Sequence, residues 1–163
     1  MAVLPIRVVP DPVLRQKAKH VRSIDSSINK LIADMLETVH AAPGVGLAAP
    51  QVGVSLRIIV ISLPEKEEIV LLNPEIVRRN GERCVDEGCL SIPGYMGKVK
   101  RATSVTVKGR DAAGKEIRIK AKELLAQALE HEIDHLRGVL YIDRLESAES
   151  LHKVEPAPAQ PHA

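Results

Sequence analysis

Tryptophan and phenylalanine are absent, and tyrosine occurs only as Tyr95 and Tyr141. The core must therefore be built from Ile, Leu, Val and Ala. The scarcity also limits stacking platforms for unpaired bases, which lean on aromatic side chains. Cysteine is nearly as rare. Cys84 and Cys89 are too few for a disulfide framework and are expected to be thiols. No stretch approaches the roughly 18 consecutive apolar residues of a membrane span. The opening MAVLPIRVVPDPVLR breaks with Arg and Pro the apolar run that a secretory leader needs. A net charge of +2 is too small to make nucleic acid or an anionic membrane the main partner. These absences predict a soluble, cytoplasmic protein with no specific nucleic-acid partner and no membrane partner.

The 163 residues suffice for one ordinary domain. Within residues 26–40, Ile28, Leu31, Ile32, Met35, Leu36 and Val39 form an apolar stripe at helical spacing. Asp25 or Ser26 suits the N-cap, and Pro43-Gly44 ends the run. LRIIVISL (56–63) predicts a buried strand, and IVLLNP (69–74) its partner. KVKRATSVTVK (98–108) and KEIRIK (115–120) alternate around a turn and predict a hairpin. A second helix is expected from about Ala121 to Leu136, with Gly138 at its C-terminal end. The order helix, strands, helix predicts an α+β fold with antiparallel or mixed sheets around the second helix. Residues 1–145 are expected to form the single domain. The rest, ending VEPAPAQPHA, has the composition of a frayed tail over 146–163.

The second helix contains EHEIDHLRG, residues 130–138. Turning 100° per residue, Leu124, Ala128, His131 and His135 fall within about 60° of one another. Glu132 joins the apolar arc, whereas Glu123, Gln127, Glu130 and Asp134 take the opposite side. An inward carboxylate among leucines is costly unless it has a partner or a task. Two readings follow from the helix alone: a metal held by both histidines, or two histidines satisfied locally beside a paired Glu132. A metal site would need a further protein ligand and an open position. No histidine follows in LRGVLYIDR, and His20, His40, His152 and His162 stand in unhelpful contexts. The remaining soft donor is Cys89 in EGCLS (87–91). Cys84, in GERCVDE, has no turn to present it and is expected to be a small core residue.

With GVGLAAPQ at 44–51, EGCLS at 87–91 and HEIDH at 131–135, the sequence resembles the peptide deformylase family. PDPVLR (10–15) and LRGVLYIDRL (136–145) are similar to the family's flanking segments. The resemblance implies hydrolytic removal of the N-formyl group from the terminal formyl-methionine of newly made proteins. It implies that Cys89, His131 and His135 bind one divalent metal, with water in the fourth position. Ferrous iron is the family's best-known ion, and zinc, nickel or cobalt can replace it. Glu132 would be the general acid/base. Gln51 and the backbone N–H of Leu90 would stabilise the oxyanion. Gly44, Val45, Gly46, Leu124 and Ala128 would line the substrate's path and its methionine pocket.

The resemblance also implies formyl-methionyl nascent chains as partners and a transient ribosome contact. The Pro/Ala tail gives no sign of the long docking helix that some members carry. Met96 stands where many members have arginine, so a polar contact to substrate is missing or falls to Lys98. Glu87, two residues before Cys89, is expected to link Arg101 to His131 or His135, because metal-bound histidines usually donate their second N–H. Three other functions stay in competition: a zinc peptidase with another third ligand, a cysteine hydrolase using Cys89 and His131, and a binding module lacking chemistry.

Overall fold

In the computed structural model, which describes residues 2–154, two helices and two antiparallel sheets form the fold. Helix α1 spans Ser26–His40. The Asp25 side chain accepts from the Ile28 amide at 3.1 Å, a cap contributing about 1 kcal/mol. A five-stranded sheet has the order β1 (Gly46–Ala48), β2 (Ile58–Ile61), β3 (Ile69–Asn80), β6 (Ser104–Arg110) and β7 (Glu116–Lys122). A smaller sheet joins β4 (Arg83–Cys89), β5 (Ile92–Arg101) and the short β8 (His152–Lys153). Helix α2 spans Glu123–Leu136.

The continuous apolar run of β2 is explained by cover on both faces. Ile58 and Val60 pack with Met35 and Val39 of α1, whereas Ile59 and Ile61 pack with Leu129 and Ile133 of α2. Val105, Val107 and Ala121 extend the floor under α2. The helix therefore lies between the large sheet and the β4–β5 pair. Gly138 closes it with φ of +76°, and a Cβ there would stand 2.5 Å from the Arg15 carbonyl oxygen. Both constraints require glycine.

Four local expectations change. Residues 98–108 are not one strand: the chain leaves the small sheet at Arg101 and enters the large one at Ser104. Ala121 lies in β7, which runs to Lys122, instead of starting α2. Cys84 is exposed, because β4 turns that side chain outward. Structure also continues past residue 145: Tyr95 and Met96 of β5 pair with Lys153 and His152. The remainder of the expected tail, 155–163, lies outside the described residues.

Candidate metal centre

His131 and His135 are one turn apart on α2, and their Nε2 atoms stand 3.3 Å from each other. Cys89, at the end of β4, brings its Sγ to 3.3 Å from His135 Nε2. A register shift separates Glu87 from Cys89 in the β4–β5 ladder. The Ser91 amide points back at the sulfur, 3.4 Å away. All three donor atoms lie within 4.8 Å of one another. The set of one sulfur and two imidazole nitrogens suits a transition-metal ion.

Glu132 is buried between them, and its Oε1 has no hydrogen-bond partner. Such an orphaned oxygen is costly in a structural role and apt for a group that must exchange a proton. β1 runs directly past it. A Cβ at Gly46 would lie 2.6 Å from Glu132 Oε2, so no other residue fits there without displacing the carboxylate. Gln51 reaches the same place from the one-turn helix Ala49–Val52. Its Oε1 accepts from the Ala48 amide at 2.9 Å, which fixes the amide's orientation. Its Nε2 donates to Ser91 Oγ at 3.1 Å and lies 3.7 Å from Cys89 Sγ.

Behind the histidines runs a buried chain of charges. Glu87 Oε1 accepts from His131 Nδ1 at 2.7 Å, and the ring's Nε2 faces Cys89 and His135. Arg101 grips Glu87 through two bonds of 2.7 and 2.8 Å. The same guanidinium donates to Asp134 at 2.8 Å. Arg144 then closes on Asp134 with bonds of 2.5 and 2.9 Å. Glu87, Arg101 and Asp134 are all buried.

Asp134 and Glu130 take the side of α2 opposite its leucines, as the helical wheel predicts, and that side is buried as well. Glu130 accepts from the Ala102 amide at 2.7 Å and from Arg79 at 3.0 Å. The side of α2 opposite its leucines meets the β5–β6 crossover, so its carboxylates are buried against arginine and backbone.

The electrostatics divide the four groups. Burial raises the Glu87 pKa, yet Arg101 and His131 outweigh it and hold the carboxyl at about 2. Glu132 is pushed up to about 7, chiefly by burial and then by the negative charge of Glu87, against the pull of His131. Burial opposes charge on His131, but Glu132, Cys89 and Glu87 together keep it well above its ordinary value. His135 is held well below, by burial and then by the charge on His131.

Of the expected substrate residues, Ala128 is buried and Val45 packs half-buried against the α2 core. Gly44 lies against Leu90, whose Cδ1 would be 3.3 Å from an added Cβ. Leu124 is 50% exposed on the first turn of α2, so it can only border a pocket, not floor it. Met96 sits beside Gly88, next to the Cys89 turn. Sequence reasoning missed Ser91, Asp134, Arg144 and Tyr141. The Tyr141 ring stacks 6.4 Å from that of His131, and its buried hydroxyl has no partner. Only Asp134 had a legible signal, since it lies three residues after His131 on the same helix.

A family model for polypeptide deformylase matches residues 3–150. The peptide deformylase of Dehalococcoides mccartyi strain CBDB1 is 57% identical over 162 residues, spanning 99% of this chain and 97% of that protein. The crystal structure of a Legionella pneumophila peptide deformylase superimposes with a TM-score of 0.88 at 49% identity, covering 91% of this chain and 89% of that one. The Synechococcus elongatus enzyme, solved in complex with actinonin, gives 0.87 at 45% identity over 90% and 81% of the two chains. On a match of this extent, the chain belongs to the polypeptide deformylase family.

Proposed function

We propose that this chain is a metal-dependent hydrolase that removes the N-formyl group from the terminal formyl-methionine of newly made proteins. The observation that carries the reading is the convergence of the Cys89, His131 and His135 donors on a buried, unpartnered Glu132. Those three side chains would hold one divalent ion. Ferrous iron is the proposed occupant, with zinc, nickel or cobalt able to substitute. When bound, the ion supplies a Lewis acid that polarises the formyl oxygen and acidifies water to give a nucleophile near neutral pH.

The chain's own residues do the rest. Glu132, with its carboxyl near pKa 7, takes the proton from water and returns it to the departing amine. Gln51 Nε2 and the Leu90 backbone N–H are the donors proposed for the oxyanion. The outer edge of β1 carries no strand among the described residues. An extended chain end can therefore pair along Val45 and Gly46, while Gly46 leaves room beside Glu132. Val45 and Ala128, with Leu124 at the rim, offer apolar surface for a methionine side chain. Larger acyl groups would meet Leu90 and Glu132. Arg101 and Glu87 set the aim and tautomer of His131, and Asp134 and Arg144 extend that support.

No helix among the described residues is long and apolar enough to cross a membrane. Action on new chains fits the cytoplasm, with residues 1–145 as the catalytic unit and 152–153 added to its small sheet. Anaerobic purification with metal analysis, then formate release from a formyl-Met peptide, tests the proposal. About one ion per chain and loss of activity with chelator are expected. Turnover that survives complete metal removal would favour Cys89 as a nucleophile instead.

A further inference from the structure

We propose that residues 7–9 are a positioning strap, whose backbone N–H groups set the spacing between the two oxyanion donors, Gln51 and the Leu90 amide. The inference rests on the proposed roles of those donors, and it gives a task to a segment that supplies no ligand to the metal centre. The Arg7 amide donates to the Gln51 carbonyl at 2.7 Å, and the Val9 amide donates to the Ser91 carbonyl at 2.9 Å. Ser91 follows Leu90, so each bond holds the main chain at or beside one donor. Two residues of chain span at most about 7 Å. The strap therefore limits how far the two carbonyls can separate.

The donors need such a tie because they come from different parts of the fold. Gln51 lies in the one-turn helix beyond β1, beside Ala49, which packs in the cluster beneath α1. Cys89 and Ile92, on either side of the Leu90-Ser91 turn, pack instead with Leu14, Val99 and Tyr141. The Leu90 side chain crosses to the α1 cluster, and Gln51 Nε2 crosses the other way to Ser91 Oγ at 3.1 Å. Both of those contacts run through rotatable side chains, whereas the strap restrains the main chain on each side. Ser91 is fully buried, and its amide faces Cys89 Sγ at 3.4 Å. A displacement of this turn would thus move the Leu90 donor relative to Gln51, and a shift of about 1 Å at such a site can cost about 10²-fold in rate.

The strap is itself anchored on α1. The Ala2 amide donates to Asp34 Oδ1 at 2.7 Å, and the Leu4 amide donates to Thr38 Oγ1 at 2.8 Å. Thr38 Oγ1 in turn donates to the Asp34 carbonyl at 2.6 Å. Asp34 and Thr38 are both buried, a placement that is costly for polar groups unless they are hydrogen-bonded. Ile6 adds an apolar contact to the same α1 cluster. α1 carries no metal donor, and through the strap its buried polar pair bears on the oxyanion donors.

The test compares Arg7→Pro, which deletes the N–H, with Arg7→Ala, which removes only an exposed side chain. Each is loaded with metal and assayed on a formyl-Met peptide. Arg7→Pro should lower kcat by about three- to tenfold, the effect of one hydrogen bond, with KM within about twofold and full metal content. That is less than the loss of about 10²–10³-fold expected when an oxyanion donor is itself removed. Arg7→Ala should stay within about twofold of the parent, because its exposed ion pair with Asp11 contributes little. In the zinc-loaded protein, the Gln51 side-chain amide resonances should shift in Arg7→Pro and keep their parental positions in Arg7→Ala. Thr38→Val removes the anchor of Leu4 and leaves residues 7–9 intact, so it should repeat the kcat loss at smaller size. It carries the test if Arg7→Pro does not fold, and a parental kcat in Thr38→Val would then overturn the strap. A parental kcat in folded Arg7→Pro, a rise in KM without loss of kcat, or an equal loss in Arg7→Ala would overturn it as well. If the parent releases no formate but the Gln51 resonances shift in Arg7→Pro alone, the proposed function fails and the strap stands.

Discussion

Cys89 and Cys84 differ in what surrounds their sulfurs. Cys89 Sγ is 3.3 Å from an imidazole nitrogen and receives the Ser91 amide. Cys84 is exposed, and a hydrogen bond to Glu146 raises its pKa, which disfavours the thiolate that a metal needs. Cys89→Ala is therefore expected to abolish tight metal binding and activity, and Cys84→Ala to change neither. Metal analysis of both variants decides this, and stoichiometric ion in Cys89→Ala would refute the three-donor site. Glu132→Gln preserves size and removes the proton carrier. Turnover should fall by about 10²–10⁴-fold while the ion is retained. A variant within a few-fold of the parent would move the proton to another group. Gly46→Ala tests the close approach, since its methyl group would stand 2.6 Å from Glu132 Oε2. It should retain metal and lose most activity, and an unchanged kcat/KM would show that the carboxylate can move aside freely.

At the scale of elements, the large apolar periodicities were legible and the polar burial was not. Residues 26–40 form a helix with the expected cap, and the unbroken apolar run of β2 matches cover on both faces. The wheel also put Glu132 inward beside both histidines. It set Asp134 and Glu130 on the opposite side but gave no sign that this side is buried too, because hydrophobic patterning does not register the arginines from β3, β5 and the segment after α2 that meet them. The β5–β6 crossover was illegible for a related reason: alternation persists from Lys98 to Lys108 although the chain changes sheets at Ala102-Thr103. The pair Glu87–Arg101 could be anticipated from spacing, but Arg144 carried no local signal. Breaking a buried ion pair by removing one partner costs about 3–5 kcal/mol. Glu87→Ala should thus lower thermal stability and weaken metal affinity by roughly 10–100-fold. Arg144→Gln removes a half-exposed partner and should have the smaller effect on both. Equal metal affinity for Glu87→Ala and the parent, measured with a competing chelator, would end the positioning role.

For the whole molecule, the metal centre sets the pH dependence of stability in the metal-free protein. Glu132 has a folded pKa of about 7 against an ordinary 4.5. Its folded value is raised, so its contribution is fully present below pH 4.5, where the carboxyl is neutral in both states. That contribution is lost as pH rises through 7, where a buried charge must be maintained without a partner. The size is on the order of 3 kcal/mol. Glu87 has the opposite sign. Its depressed pKa of about 2 gives stability that is present above pH 4.5 and lost as pH falls toward 2. The two are separable by substitution. Glu132→Gln is neutral at every pH, so chelated Glu132→Gln and chelated parent should melt together below about pH 4.5. The variant should become more stable by several degrees at pH 7, given about 2–4 °C per kcal/mol for a chain of this size. Thermal melts of both proteins in chelator across pH 4–8 read the gap directly. A gap that stays constant across that range would mean that Glu132 ionises as it does in water, and the burial argument for its role as proton carrier would fail with it.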